Sequence, residues 1–98
     1  MTLTTDKNGT QLTVHLNGEL NTLTAPELSA LLNKELGGVQ ALTLDFKECD
    51  YVSSAGLRVL LATFKQMKAA KGSMSLANVG ENFRDVLENT GLDAVFGI

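Results

Sequence analysis

Two stretches in which apolar and polar residues alternate flank a leucine-rich helical stripe, and this arrangement constrains the fold more than anything else in the chain. In "ALTLDF", Leu42, Leu44 and Phe46 recur at every second position, the period of a strand with one buried face. Leu57, Leu60, Leu61, Phe64 and Met67 then fall at helical spacing, "KGS" ends the run, and "SMSLANV" reads as the next strand. Strand, helix and strand in that order call for a right-handed crossover between parallel neighbours.

The same order recurs upstream. "QLTVHL" alternates strictly, with Leu12, Val14 and Leu16 on one side and Thr13 and His15 on the other. "Lys7-Asn8-Gly9" carries Asn-Gly turn chemistry, which pairs "TLTTD" with that strand as a hairpin. In "TAPELSALLNKELGG", Thr24 and Glu27 have capping-box spacing, Pro26 lies in the first turn and Gly37-Gly38 stops the helix. Leu28, Leu31, Leu32 and Leu36 form its predicted buried stripe. A last helix is predicted from the cap spacing of Asn78 and Glu81, with Phe83, Val86 and Leu87 on one face and Gly91-Leu92 as its stop. "DAVFGI" reads as a short edge strand.

The expected fold is therefore α/β, one domain over residues 1–98, with a mixed, mostly parallel sheet of four to five strands. Its first strand runs antiparallel through the hairpin. Because the strands alternate instead of being apolar throughout, about three helices are expected mainly on one face.

Composition narrows the function. Hydrophobic residues make up 44% of the 98 and charged ones 19%, with one proline, which suits an ordered chain with its own core. The lone Cys49 excludes an internal disulfide and fits a reducing compartment, and without CxxC or a Cys/His cluster no metal site is expected. A net charge of −3 argues against direct nucleic-acid binding. Arg58, Lys65, Lys68 and Lys71 are spread around a helix as a solvated rim. The N-terminus has no signal-peptide pattern, and no segment approaches the roughly 20 apolar residues of a membrane helix. The expectation is a cytoplasmic protein with a protein partner, no cofactor and no membrane insertion; the oligomeric state stays open.

"DYVSSAGLRVLL" (residues 50–61) is the segment in which chemistry concentrates. Serine is a preferred N-cap, so Ser53 and Ser54 have a structural reading as helix starters. The same position favours negative charge, because helix N-termini present unpaired N–H groups and the positive end of the dipole. A phosphate there would leave the fold intact and, beside Asp50, repel an acidic or apolar partner. Catalysis has little to draw on. A nucleophilic Ser54 needs a base, and the single histidine, His15, lies early in the chain on a strand. Asp45, Glu48 and Asp50 read as a solvated turn, and neither a P-loop nor a dinucleotide-binding glycine pattern is present.

Over nearly its whole length the chain resembles the STAS domains, specifically the small bacterial anti-sigma factor antagonists. The resemblance rests on "LNGELNTLTAPEL" (16–28), "LTLDFKECDYVSSAGLRVLL" (42–61) and "VLENTGLDAVF" (86–96), the second being the specific one. It implies a non-enzymatic switch. The unmodified protein binds an anti-sigma factor and frees its sigma factor. The anti-sigma factor, itself a serine kinase, phosphorylates the serine two places before the motif glycine, and a PP2C-type phosphatase resets it. With Gly56 as that glycine the serine is Ser54, and Ser53 offers a second hydroxyl. Ser53 and Asn21 stand where the family commonly has acids, and a further C-terminal helix is usual. The expected partner face comprises Asn21, Ser53, Ser54, Ala55, Gly56, Arg58, Val59 and Ala62, with Val59 and Ala62 apolar at the surface. A non-switching STAS scaffold or accessory subunit of a sensory complex or transporter is the alternative, and a small-ligand domain using the helix N-terminus a third reading.

Overall fold

A computed structural model describes residues 1–98. The elements are β1 (Thr2–Asn8), β2 (Gln11–Asn17), α1 (Ala25–Glu35), β3 (Ala41–Glu48), α2 (Ser54–Ala69), β4 (Ser73–Ala77), α3 (Glu81–Thr90) and α4 (Leu92–Phe96). They form one four-stranded sheet in the order β1-β2-β3-β4. The β1–β2 pair is antiparallel, with Asn8 opposite Gln11, and the other two pairs are parallel. Gly9, at φ +62, takes the first of the two hairpin positions, where a left-handed residue is needed, while Asn8 still belongs to β1.

The predicted alternation sets the core. Leu12, Val14 and Leu16 of β2 and Leu42, Leu44 and Phe46 of β3 are all buried on the face that carries the helices. Leu28, Leu32 and Leu36 of the α1 stretch pack onto them, together with Leu60 and Met67 of α2 and Phe83 and Leu87 of α3. Leu31, Leu57, Leu61 and Phe64 are only partly covered. The opposite face carries Thr13, His15, Thr43, Asp45 and Ser75 and has no helix over it, as the alternation implies.

Three local expectations are corrected. "DAVFGI" is no strand: Gly91 turns the chain at φ +77 and Leu92–Phe96 coils into α4. Leu92 and Phe96 are four residues apart, so one helical turn brings both to the core, and the Phe96 ring meets Phe64 edge-on at 5.6 Å and 84°. Thr24 is not a capping side chain. Its hydroxyl donates to the Glu19 carbonyl at 2.7 Å and accepts the Asn21 N–H at 2.8 Å. Asn21 takes over the role one turn earlier, its Oδ1 accepting the N–H groups of Leu23 and Thr24 at 2.9 and 3.1 Å. Asn78 does not cap α3 either. It adopts φ +55, its amide donates to Asp45, and the cap residue is Gly80.

Candidate functional site

The serine segment lies where β3 hands the chain to α2. From Phe46, Cys49 turns inward; its N–H bonds the Phe46 carbonyl at 3.0 Å and its thiol the Tyr51 carbonyl at 3.5 Å. Burial pushes the Cys49 thiol above its ordinary pKa, which disfavours the reactive thiolate. The loop that follows is tied to the one after β2. Gly18 N–H reaches Glu48 O at 3.0 Å, Leu20 N–H reaches Tyr51 O at 3.0 Å, and Ser53 N–H reaches Leu20 O at 2.8 Å. Leu20 and Val52 thereby form a short parallel bridge, which places Asn21 and Ser53 as the next residues on its two sides.

Helix α2 starts on this bridge. Ser53, at φ −85 and ψ 174, is the cap: its Oγ accepts the Gly56 N–H at 3.4 Å and its carbonyl accepts the Leu57 N–H at 2.9 Å. Ser54 is the first helical residue and is exposed, and its hydroxyl has no partner within the chain. Gly56 is buried, and the space for a side chain there is already filled. A Cβ would stand 2.7 Å from Leu20 Cγ and 3.0 Å from Val52 Cγ1. Close approach, not a turn, is what requires this glycine.

Of the residues expected at the partner face, Arg58 and Ala62 are exposed and Val59 is half-buried against the core, which corrects its expected surface position. All three line a groove of about 220 Å³ between α1 and α2, opposite Ser29 and Asn33. Ser54, Arg58 and Ala62 are spaced four apart, so one stripe runs from the serine into the groove. Asn21 is half-buried beside the site, and its side-chain oxygen serves its own turn. His15 lies across the sheet from α2, with Nδ1 2.8 Å from Asp45 Oδ2, so no imidazole adjoins Ser54. Asp45 is accordingly a strand residue bonded to its neighbours, not part of the solvated turn.

Two exposed apolar residues of the tied loops were not singled out in the sequence. Leu23 is 84% exposed and Tyr51 51%, one in each of the two tied loops. Leu23 falls outside the helical stripe of α1, and Tyr51 is the sole tyrosine of the chain. These were the available signals.

A family model for the STAS domain matches residues 2–98. The chain is 35% identical over 99 residues to BtrV of Bordetella bronchiseptica, named as a candidate anti-sigma factor antagonist, covering 100% of this chain and 85% of that protein. It is 30% identical over 92 residues to the anti-sigma-B factor antagonist of Bacillus subtilis, covering 94% and 84%. The crystal structure of an anti-sigma factor antagonist from Mycobacterium paratuberculosis superposes with a TM-score of 0.86 at 25% identity, over 97% of this chain and 81% of that one. With the exposed serine, the capped helix start and the glycine-seated bridge in place, the chain belongs to the STAS-domain family of anti-sigma factor antagonists.

Proposed function

We propose that this protein is an anti-sigma factor antagonist whose hold on its partner ends when Ser54 is phosphorylated. The carrying observation is the division of labour between adjacent serines: Ser53 is occupied as the cap, whereas Ser54 stands exposed at the first helical position. A kinase reaching this helix start meets the Ser54 hydroxyl without unwinding the helix. The phosphate, carrying about −1.5 to −2 charges at neutral pH, lies near the positive end of the α2 dipole and costs the fold little. The same charge at a docking surface holding Leu23, Tyr51 and the α1–α2 groove opposes an apolar or acidic partner surface. The partner in this reading is an anti-sigma factor with serine kinase activity, which brings the ATP; a PP2C-type phosphatase reverses the mark, and the exchange takes place in the cytoplasm.

Incubation with the cognate anti-sigma factor and ATP, followed by mass-spectrometric mapping and calorimetry, tests the proposal. Phosphate is expected on Ser54 with loss of binding. Ser54→Ala keeps binding and takes no phosphate, and Ser54→Asp weakens binding by about tenfold or more. Unmodified Ser54 with undiminished binding supports the second reading, a non-switching STAS scaffold or accessory subunit. Ser53 and Asn21, uncharged where the family commonly has acids, favour that reading.

A further inference from the structure

The geometry points to Arg58 as the internal partner of a phosphate on Ser54, so that modification adds an anion at the helix start and also draws a cation out of the α1–α2 groove. The inference rests on the Ser54 reading above and concerns what the phosphate does once attached. Residues four apart on a helix are neighbours, about 5–6 Å between Cβ atoms, and helical side chains lean toward the N-terminus. The Arg58 side chain is therefore within reach of Ser54. Its planar fork matches phosphate oxygens in pairs, which a lysine's point charge does not.

Arg58 is exposed and free to make this move. The one acid–base contact of the structure within ion-pair distance is His15 to Asp45, so no carboxylate holds the guanidinium, and the first turn of α2 has no acidic residue to compete with the phosphate. Neither loop tied beneath the site, residues 18–24 and 49–53, contains a lysine or arginine. Lys65, the next cation along α2, is eleven residues from Ser54, roughly 16 Å along the axis. Before modification Arg58 lines the groove with Val59 and Ala62, opposite Ser29 and Asn33. One guanidinium thus stands between two sites, and the phosphate decides which it serves.

Phosphoserine installed at position 54 during translation, in the otherwise unaltered chain and in Arg58→Gln and Arg58→Lys, tests this without any kinase. A phosphorus NMR titration at low salt is expected to place the phosphate's second pKa roughly a few tenths of a pH unit lower with Arg58 than with glutamine. Arg58→Lys should fall between them, and the difference should vanish in roughly 1 M salt. Phosphorylation should also move the amide signals of Ser29 and Asn33 in the wild type but not in Arg58→Gln. Coincident titration curves, or unmoved groove signals, overturn the inference. Whether the phosphorylated wild type still binds the anti-sigma factor is a separate measurement, and continued binding would sink the Ser54 reading whatever the titration shows.

Discussion

At position 53 a hydroxyl oxygen accepts the Gly56 N–H from 3.4 Å, whereas one residue later the same group faces solvent with no partner. Side-chain chemistry does not distinguish the two; backbone does. Ser53 has the extended geometry that turns its oxygen toward the helix start, and Ser54 is already helical. This difference predicts unequal effects from the same substitution at the two positions. Ser53→Ala removes a cap whose hydrogen bond is long, and should lower stability by about 0.5–1 kcal/mol, a fall of roughly 2–8 °C in melting temperature. Ser54→Ala should stay within about 0.5 kcal/mol of the wild type. Thermal unfolding of the two variants side by side checks the assignment, and a reversed order would mean that Ser54 is the cap. That a helix begins near residues 53–54 was legible from Ser-Ser-Ala-Gly and the stripe that follows. Which serine caps it was not, since capping preference scores both alike.

Helix α2 meets the Leu20–Val52 bridge through a residue without a side chain, and so its first turn can seat closely against it. Gly56→Ala should gain about 1 kcal/mol in helix propensity. The new methyl, however, would press on Leu20 at a branched carbon 2.7 Å away, inside a region with no exposure, and overpacking of this kind costs about 1–3 kcal/mol. The net expectation is a loss of up to roughly 2 kcal/mol, read as a lower midpoint in urea with an unchanged slope. A more stable Gly56→Ala protein would show that the bridge yields easily. The elements themselves were legible wherever a run was long enough to display its period: β2, β3, α1 and α2 each bury one face, and burial writes the pattern. "DAVFGI" is too short for its period to separate strand from helix, and the informative pair, Leu92 and Phe96, straddles the start of that window. The caps at Thr24 and Asn78 were misread for another reason. Their polar groups are used by Glu19, Asn21 and Asp45, and such competition is invisible to a spacing rule. Leu23 and Tyr51 were missed because exposure of a loop residue leaves no period at all.

Seen whole, the molecule puts its helices on one side of the sheet and leaves the other polar, so the back face must be held by hydrogen bonds rather than apolar burial. Asp45 is the centre of that arrangement. From β3 its carboxylate accepts the Asn78 amide just past β4 at 2.8 Å and the Lys47 N–H at 3.0 Å, and it meets His15 of β2 at 2.8 Å. One side chain thus links three neighbouring chain segments that are distant in sequence. Chiefly the Asn78 donor, then the Lys47 N–H and His15, hold the Asp45 carboxyl below its ordinary value of 3.8, against the opposing effect of desolvation. A carboxylate whose folded pKa lies below its unfolded one stabilises the protein above the unfolded value, and that stabilisation is lost as pH falls through the folded one. The wild type should therefore lose stability as the pH drops below about 4, in part through this one group. Asp45→Asn should be less stable at neutral pH and show a shallower acid limb, so that the two proteins converge at low pH. Denaturation midpoints followed from about pH 7 down to about pH 2 measure both slopes. Parallel curves would show that the Asp45 carboxylate stays solvated and that the strands on the open face hold together without it.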